Sequence, residues 1–222
     1  MRFAIENVGE VSAFFERPAE ARCLLLLAHG AGAGMNHPFM SALAAALAVQ
    51  GVATFRYQFP YMEQRRHVPD SPKTLRATVA AAARAARTAA PDLPLFAGGK
   101  SLGGRMTSEA AGLHLLEGAL GLVFFGFPLH PPGHPATKRA DQLARVSVPM
   151  LFIQGTRDAF AELPLLRQVC EKLGSSATLH LIEDADHSFH VPKRSGRSDA
   201  EVLAEMARVF ASWAQTICSD HR

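Results

Sequence analysis

The sequence feature that most restricts the fold of this chain is a serine set between glycines, where a predicted strand passes into a predicted helix. The run Leu95 to Arg105 reads Leu-Phe-Ala-Gly-Gly-Lys-Ser-Leu-Gly-Gly-Arg, and a helical pattern continues from Met106 to Leu116. Gly99, Ser101 and Gly103 fit G-x-S-x-G, the sharp strand-to-helix turn, called the elbow below, that presents a serine at the carboxyl end of a sheet. The serine of such a turn is strained and backbone passes close to its flanks, so glycine is favoured there.

Two other interpretations of the same residues bear on function. A phosphate-binding loop, G-x-x-x-x-G-K-[ST], would need glycine where the chain has Pro94, and its glycines would precede the lysine rather than follow the serine. This interpretation is therefore rejected. An ordinary glycine-rich turn with an inert serine remains open from the motif alone.

Short apolar segments alternate with helical patterns along the whole chain, which predicts a mostly parallel sheet with helices on both faces. No linker, internal repeat or low-complexity segment divides the chain, so we expect one domain over residues 1–222. The predicted strands are Phe3 to Val8 and Val11 to Glu16 as a hairpin, Cys23 to Ala28, Val52 to Tyr57, the elbow strand, Ala119 to Phe125, Met150 to Gln154 and Ala177 to Glu183. The predicted helices include Pro38 to Val49, Pro72 to Ala90, Leu163 to Leu173 and a last helix capped by Ser198 and Glu201.

Composition narrows the class of protein. Hydrophobic residues make up 48% and charged residues 19% of the 222 residues, which allows a large core and argues against disorder. The net charge of +3 comes from scattered lysines and arginines, so no nucleic-acid partner is expected. Neither a leader peptide nor a membrane span is predicted, and three distant cysteines suit a reducing compartment. We therefore expect a cytoplasmic protein that does not bind a membrane.

A serine hydroxyl needs a base to act as a nucleophile, and in this architecture the base should follow a later strand. Asp158 follows the strand Met150 to Gln154, and His187 follows the strand Ala177 to Glu183. The chain order is therefore serine, aspartate, histidine. Asp184 and Asp186 also lie near the histidine in sequence, and we expect Asp186 to brace its own loop instead.

The chain resembles the α/β-hydrolase superfamily. The matching pieces are the His29-Gly30 loop, the elbow, Gly-x-x-Asp at 155–158 and Asp-His at 186–187. The resemblance is closest to small lidless members, the dienelactone-hydrolase-like kind and the related group that contains a subunit of the NSL chromatin complex. Dienelactone hydrolases proper have cysteine at the elbow, where this chain has serine, so their substrate is not carried over.

The resemblance implies a three-layer fold without a large cap domain, and it implies roles for five residues. Ser101 would be the nucleophile, His187 the general base and then acid, and Asp158 the group that orients the imidazole. The backbone amides of Leu102 and Ala31 would form the oxyanion hole. No cofactor is expected. The pair of histidines at 187 and 190 lacks the partners of a metal site, so no metal is expected either.

The resulting hypothesis is a serine hydrolase that cleaves small carboxylic esters, with thioesters and lactones also open. Only the segment Gly126 to Val148 is available for a cap, and an open site suits short acyl groups. The alternative is a non-catalytic protein-interaction module on the same scaffold. The oligomeric state does not follow from the sequence.

Several further polar and aromatic residues fall near the predicted site. We expect His29 to brace the glycine-rich loop from His29 to Gly34, called the oxyanion loop below because it carries Ala31. One or two of the phenylalanines Phe124, Phe125, Phe127 and Phe160 are expected to line a subsite. Arg56, Lys100 and Arg105 favour either acidic substrates or local salt bridges. The loop Gln58 to Ser71, with Tyr57, Tyr61 and His67, is expected to determine selectivity, and His130 and His134 are expected to face solvent.

Overall fold

The protein is built on one eight-stranded sheet, and its computed structural model describes residues 1–220. The strand order is β1-β2-β4-β3-β5-β6-β7-β8. The strands are β1 Arg2–Ile5, β2 Gly9–Glu16, β3 Cys23–Ala28, β4 Val52–Tyr57, β5 Leu95–Lys100, β6 Ala119–Phe125, β7 Met150–Gly155 and β8 Ala177–Ile182. Strands β1 and β2 pair antiparallel, as predicted for the hairpin, and β2 joins β4 antiparallel. From β4 to β8 all pairs are parallel.

Six helices connect the strands or follow them. They are α1 Pro38–Val49, α2 Pro60–Glu63, α3 Pro72–Ala89, α4 Leu102–Ala111, α5 Leu163–Leu173 and α6 Asp199–Asp220. A 3₁₀ segment, Lys138–Arg145, follows β6 where no large cap is inserted. None of the helices within residues 1–220 is long and apolar enough to cross a bilayer.

The apolar side chains of the central strands point alternately to two cores. Leu24 and Leu26 of β3 pack with α3, α4 and α5, whereas Leu25 and Leu27 pack with α1 and α6. All four leucines are fully buried, because this strand is covered on both faces. The three-layer α/β fold expected from the sequence is therefore confirmed.

Two predicted boundaries need correction. The helix after the elbow begins at Leu102, directly after the serine as expected, but it ends at Ala111 rather than at Leu116. Its C-cap residue is Gly112, and glycine is a poor helix former. The predicted loop from Gln58 to Ser71 contains the short helix α2. The cap of α6 is as predicted: the amide of Glu201 donates to Ser198 Oγ at 3.3 Å, and the Ser198 amide donates to the Glu201 carboxylate at 2.7 Å.

Candidate active site

The elbow between β5 and α4 holds Ser101 in a strained conformation, with φ 50° and ψ −116°. A non-glycine residue with positive φ costs on the order of 1–3 kcal/mol, which the surrounding structure must offset. The Ser101 amide donates to the carbonyl of Phe125 at the end of β6, at 3.2 Å, and its carbonyl accepts from the Arg105 amide in α4, at 3.1 Å. The turn is therefore fixed on both sides.

The two glycines that flank the serine are required by close backbone contacts. A Cβ on Gly99 would lie 2.4 Å from the carbonyl oxygen of Ala28, and one on Gly103 would lie 2.6 Å from the carbonyl oxygens of Ala28 and His29. These distances are shorter than any van der Waals contact, so an alanine at either position would displace the end of β3. The predicted reason for glycine at both positions is confirmed.

Three side chains from the carboxyl ends of β5, β7 and β8 form one hydrogen-bonded chain. His187 Nε2 lies 2.9 Å from Ser101 Oγ, and His187 Nδ1 lies 2.7 Å from Asp158 Oδ2. A carboxylate can only accept at this position, so the proton is on Nδ1 and Nε2 is free to accept from the serine hydroxyl. The structure thus brings together the three residues that the sequence analysis selected for the catalytic roles.

Asp158 is held by two further donors besides the histidine. The Phe160 amide donates to Asp158 Oδ1 at 2.8 Å, and Gln154 Nε2 donates to Oδ2 at 2.6 Å. Gln154 is itself fixed, since its Oε1 accepts from the Phe127 amide at 2.8 Å. The sequence analysis missed Gln154. The available signal was a polar residue near the end of an otherwise apolar buried strand.

Asp186 does not contact the imidazole of His187. Its carboxylate accepts from the amides of Ser188 and His190, at 2.8 and 3.0 Å. It therefore closes its own loop, as expected from the sequence. Phe160 packs on the face of His187, with ring centroids 4.2 Å apart, and restricts the orientation of the imidazole.

The cavity in front of Ser101 is small. It has a volume of about 300 Å³, at the lower end of the range for ligand pockets. Its lining includes Ala31, Phe39, Met40, Ser101, Phe160 and His187. Depressions of about 440 and 400 Å³ elsewhere on the surface contain none of the three hydrogen-bonded residues.

The oxyanion hole stays a prediction, but its two proposed donors are suitably located. Leu102 is the first residue of α4, and the amides of a first helical turn have no acceptor within the helix. Ala31 lines the cavity beside Ser101. Within residues 1–220 no group of three or more His, Cys, Asp or Glu side chains is arranged to hold a metal ion.

His29 is buried below the oxyanion loop and stays neutral. Its Nδ1 donates to the Gly30 carbonyl at 2.8 Å, and its Nε2 accepts from the Phe59 amide at 3.1 Å. Burial lowers the pKa of His29 from 6.5 to about 4. The brace expected from the sequence is confirmed.

The side chains on which the expectation for the loop Gln58 to Ser71 rested lie away from the cavity. Tyr57 and Tyr61 are fully buried and His67 is exposed, and none of the three lines the cavity. These three side chains therefore do not contact the cavity directly, and a role of the loop in selectivity stays a prediction. Of the four phenylalanines, only Phe160 reaches the cavity, while the other three lie in the core.

One expectation about the polar residues is wrong, and for two of the charged residues the structure decides between the alternatives. His130 is buried, with Nε2 accepting from the Glu162 amide at 3.2 Å, whereas His134 is exposed as predicted. Arg105 pairs with Glu109 at 3.0 Å, and Arg56 donates to the Met35 carbonyl at 3.0 Å. Both arginines therefore bond to local partners rather than project into the cavity.

Comparison with known proteins shows the family. A model of the "Alpha/beta hydrolase domain" matches residues 21–215, so the chain belongs to the α/β-hydrolase family. This confirms the superfamily. The neighbouring structures share its fold, and the likeness to the small lidless, dienelactone-hydrolase-like group stays an expectation. The likeness to the NSL-complex subunit stays an expectation.

Three solved structures share the fold over nearly their whole length. A dienelactone hydrolase from Anabaena variabilis is 23% identical, with a TM-score of 0.75 over 97% of this chain and 95% of that one. A lidless serine hydrolase from Xanthomonas campestris is 20% identical, with a TM-score of 0.74 over 96% and 93%. Est1E from Butyrivibrio proteoclasticus, with ferulic acid bound, is 16% identical, with a TM-score of 0.71 over 93% and 97%. The family supports a hydrolase activity, and the neighbours show the shared fold.

Proposed function

We propose that the protein is a serine hydrolase that cleaves small carboxylic esters through an acyl-enzyme. The observation that carries the proposal is the hydrogen-bonded chain from Ser101 Oγ to His187 at 2.9 Å and from His187 to Asp158 at 2.7 Å. A serine on a strained turn, a histidine in the right tautomer and a buried carboxylate are what nucleophilic acyl transfer requires.

In the first step Ser101 Oγ attacks the ester carbonyl carbon while its proton passes to His187 Nε2. Asp158 stabilises the imidazolium that forms. The amides of Leu102 and Ala31 receive the negative charge on the carbonyl oxygen, and the start of α4 adds its dipole. His187 then gives the proton to the leaving alcohol, and water hydrolyses the acyl-enzyme by the reverse sequence of proton transfers.

The size of the cavity supports short acyl groups. About 300 Å³ bounded by Phe39, Met40 and Phe160 is enough space for a small acid. Thioesters and lactones fit the same chemistry, since the three residues do not select the leaving group.

The test is a series of p-nitrophenyl esters from two to twelve acyl carbons, assayed with the wild type and with Ser101→Ala. We expect a preference for the shortest esters, and a loss of kcat of about 10⁶-fold in the variant. Ser147→Ala, which changes an exposed serine outside the cavity, is the matched control and should keep wild-type activity.

Two results would contradict the proposal. A preference for the long esters would remove the assignment of small substrates. Absence of hydrolysis and of serine labelling in a folded protein would favour the alternative, a non-catalytic interaction module.

A further inference from the structure

Lys100 is a cation in the candidate site, and its surroundings differ from those of the nearby Arg105. It directly precedes the elbow serine, at the end of β5, and it lines the cavity. Arg105, four residues after that serine, bonds instead to Glu109 at 3.0 Å. The carboxylates that act on the charge of Lys100 are Asp158 and Asp186, both in the loops that carry the catalytic histidine and aspartate.

The ammonium group of Lys100 lies with two aromatic rings on one side and the hydrogen bond between His187 and Asp158 on the other. Its Nζ lies 5.6 Å from the ring centre of Phe189 and 6.0 Å from that of Phe39. The two rings stack on each other at 5.8 Å. Contacts of a cation with such ring faces are favourable, and they fix the position of the charge.

On its other side the ammonium group faces Asp158 and His187. A methyl group built on Gly126 would lie 3.3 Å from Lys100 Nζ, 3.5 Å from Asp158 Oδ2 and 3.5 Å from His187 Nδ1. One methyl-sized space is therefore bordered by the cation and by both atoms of the histidine–aspartate hydrogen bond. The cation and the carboxylate are therefore within about 7 Å of each other, and charges at that separation interact appreciably where water is largely excluded.

We propose that Lys100 is a positioning residue that opposes the charge of Asp158 and so keeps His187 in its neutral, proton-accepting form at lower pH. A carboxylate beside an imidazole favours the protonated ring, which cannot accept the serine proton. A cation on the far side of that carboxylate opposes this effect. The inference rests on the proposed function, because it assigns Lys100 a role in the same site.

The charge state of Lys100 is compatible with this role. Burial lowers its pKa from 10.5 to about 8, and Asp158 and Asp186 act in the opposite direction. The side chain is thus mostly protonated at neutral pH. The other ionisable groups around it are His187 and, across the cavity, His37, while His29 is neutral with a pKa of about 4.

The test is the pH profile of kcat/KM for a neutral ester in Lys100→Met, which removes the charge and keeps the length of the side chain. We expect the acidic limb of the profile to move to higher pH by about one unit. Lys100→Arg, which restores a cation, should return the limb towards its wild-type position. Arg105→Met is the matched control, since it removes an equal charge that already faces Glu109, and its limb should not move.

A second substrate distinguishes this role from binding of an anionic substrate. Both a neutral ester and one with a free carboxylate should show the same displacement of the acidic limb in Lys100→Met. A rise in KM for the anionic ester alone, with the limb unmoved, would overturn the proposal and make Lys100 a substrate-binding residue.

Direct observation of the imidazole keeps the inference separate from the proposed function. The ¹⁵N signals of the His187 ring, assigned by their loss in His187→Gln, report its protonation even if the protein hydrolyses no ester. A protonation midpoint that rises in Lys100→Met supports the inference, and an unchanged midpoint overturns it. Thermal unfolding identifies a variant that fails to fold, in which case Lys100→Gln is titrated in its place.

Discussion

The loops at the carboxyl edge of the sheet differ sharply from one strand to the next. Those after β3, β5, β7 and β8 contribute residues to one small cavity. The segment after β4, residues 58–71, directs aromatic side chains into the core instead. Tyr61 and Phe59 are fully buried there. We call residues 58–71 the supporting segment.

The supporting segment and the adjoining end of β4 form hydrogen bonds with both ends of the oxyanion loop, at His29 and next to it at Met35. Gln58 Oε1 accepts from the Met35 amide at 2.8 Å, and Arg56 donates to the Met35 carbonyl at 3.0 Å. The Phe59 amide donates to His29. The loops thus differ in their proposed roles: some carry the candidate catalytic residues, and the segment after β4 holds one of those loops in place. Changes in the first group should reduce the reaction rate, and changes in the second should mainly reduce stability.

The largest effect is expected at Asp158. Asp158→Asn keeps the shape of the side chain but presents an amide, which favours the wrong tautomer of His187 and should lower kcat about 10⁴-fold. Steady-state kinetics with a short p-nitrophenyl ester measures it. Asp186→Asn is the control, since its amide oxygen still accepts from Ser188 and His190, and its loss should stay below about tenfold. Equal losses in the two variants would mean that Asp158 has no special role.

The next effect concerns the oxyanion hole. Ala31→Pro removes one backbone donor at the cavity and should lower kcat/KM by about 10²–10³-fold. Ala31→Gly keeps the amide and should stay near the wild type. Melting temperatures of both variants separate loss of the donor from distortion of the loop. Near-wild-type kinetics of the folded proline variant would exclude this amide from the site.

A smaller effect, on stability, is expected at His29. Its pKa is about 4 in the folded protein and near 6.5 when exposed, so the unfolded chain takes up a proton first as the pH falls. The wild type should therefore lose about 3 kcal/mol of unfolding free energy between pH 6.5 and 4 through this group. Urea unfolding of the wild type and of His29→Gln measures the difference. A difference in unfolding free energy between the two proteins that does not change with pH would contradict this prediction.

The smallest effect is expected at Tyr57. Its hydroxyl is buried and has no hydrogen-bond partner within residues 1–220. Tyr57→Phe removes an unsatisfied polar group and should raise the free energy of unfolding by about 1 kcal/mol, with kcat/KM within twofold of the wild type. Denaturant unfolding and ester kinetics check both statements. A large change in substrate preference would identify this part of the molecule as a determinant of selectivity.

Much of the candidate site could be predicted because it depends on local motifs and strand order. Gly99, Ser101 and Gly103 form one short sequence motif. The carboxyl ends of parallel strands meet at one edge of the sheet, so Asp158 and His187 could be located from the order of the strands. The direction in which Tyr57, Tyr61 and His130 point depends on packing against residues distant in sequence. Lys100 acquires its proposed role from Asp158 and His187, which lie on other loops, and such a relation has no local sequence pattern. Gln154 contacts Asp158 only four residues later, and its signal was a polar residue in an apolar strand.

The most direct test of a catalytic Ser101 is covalent labelling with a fluorophosphonate, followed by intact mass and peptide mapping. We predict one adduct, on Ser101, which forms at least about 10³-fold more slowly in His187→Ala and is absent in Ser101→Ala. No adduct on the folded wild type, or an adduct whose rate does not depend on His187, would contradict an activated serine at this site.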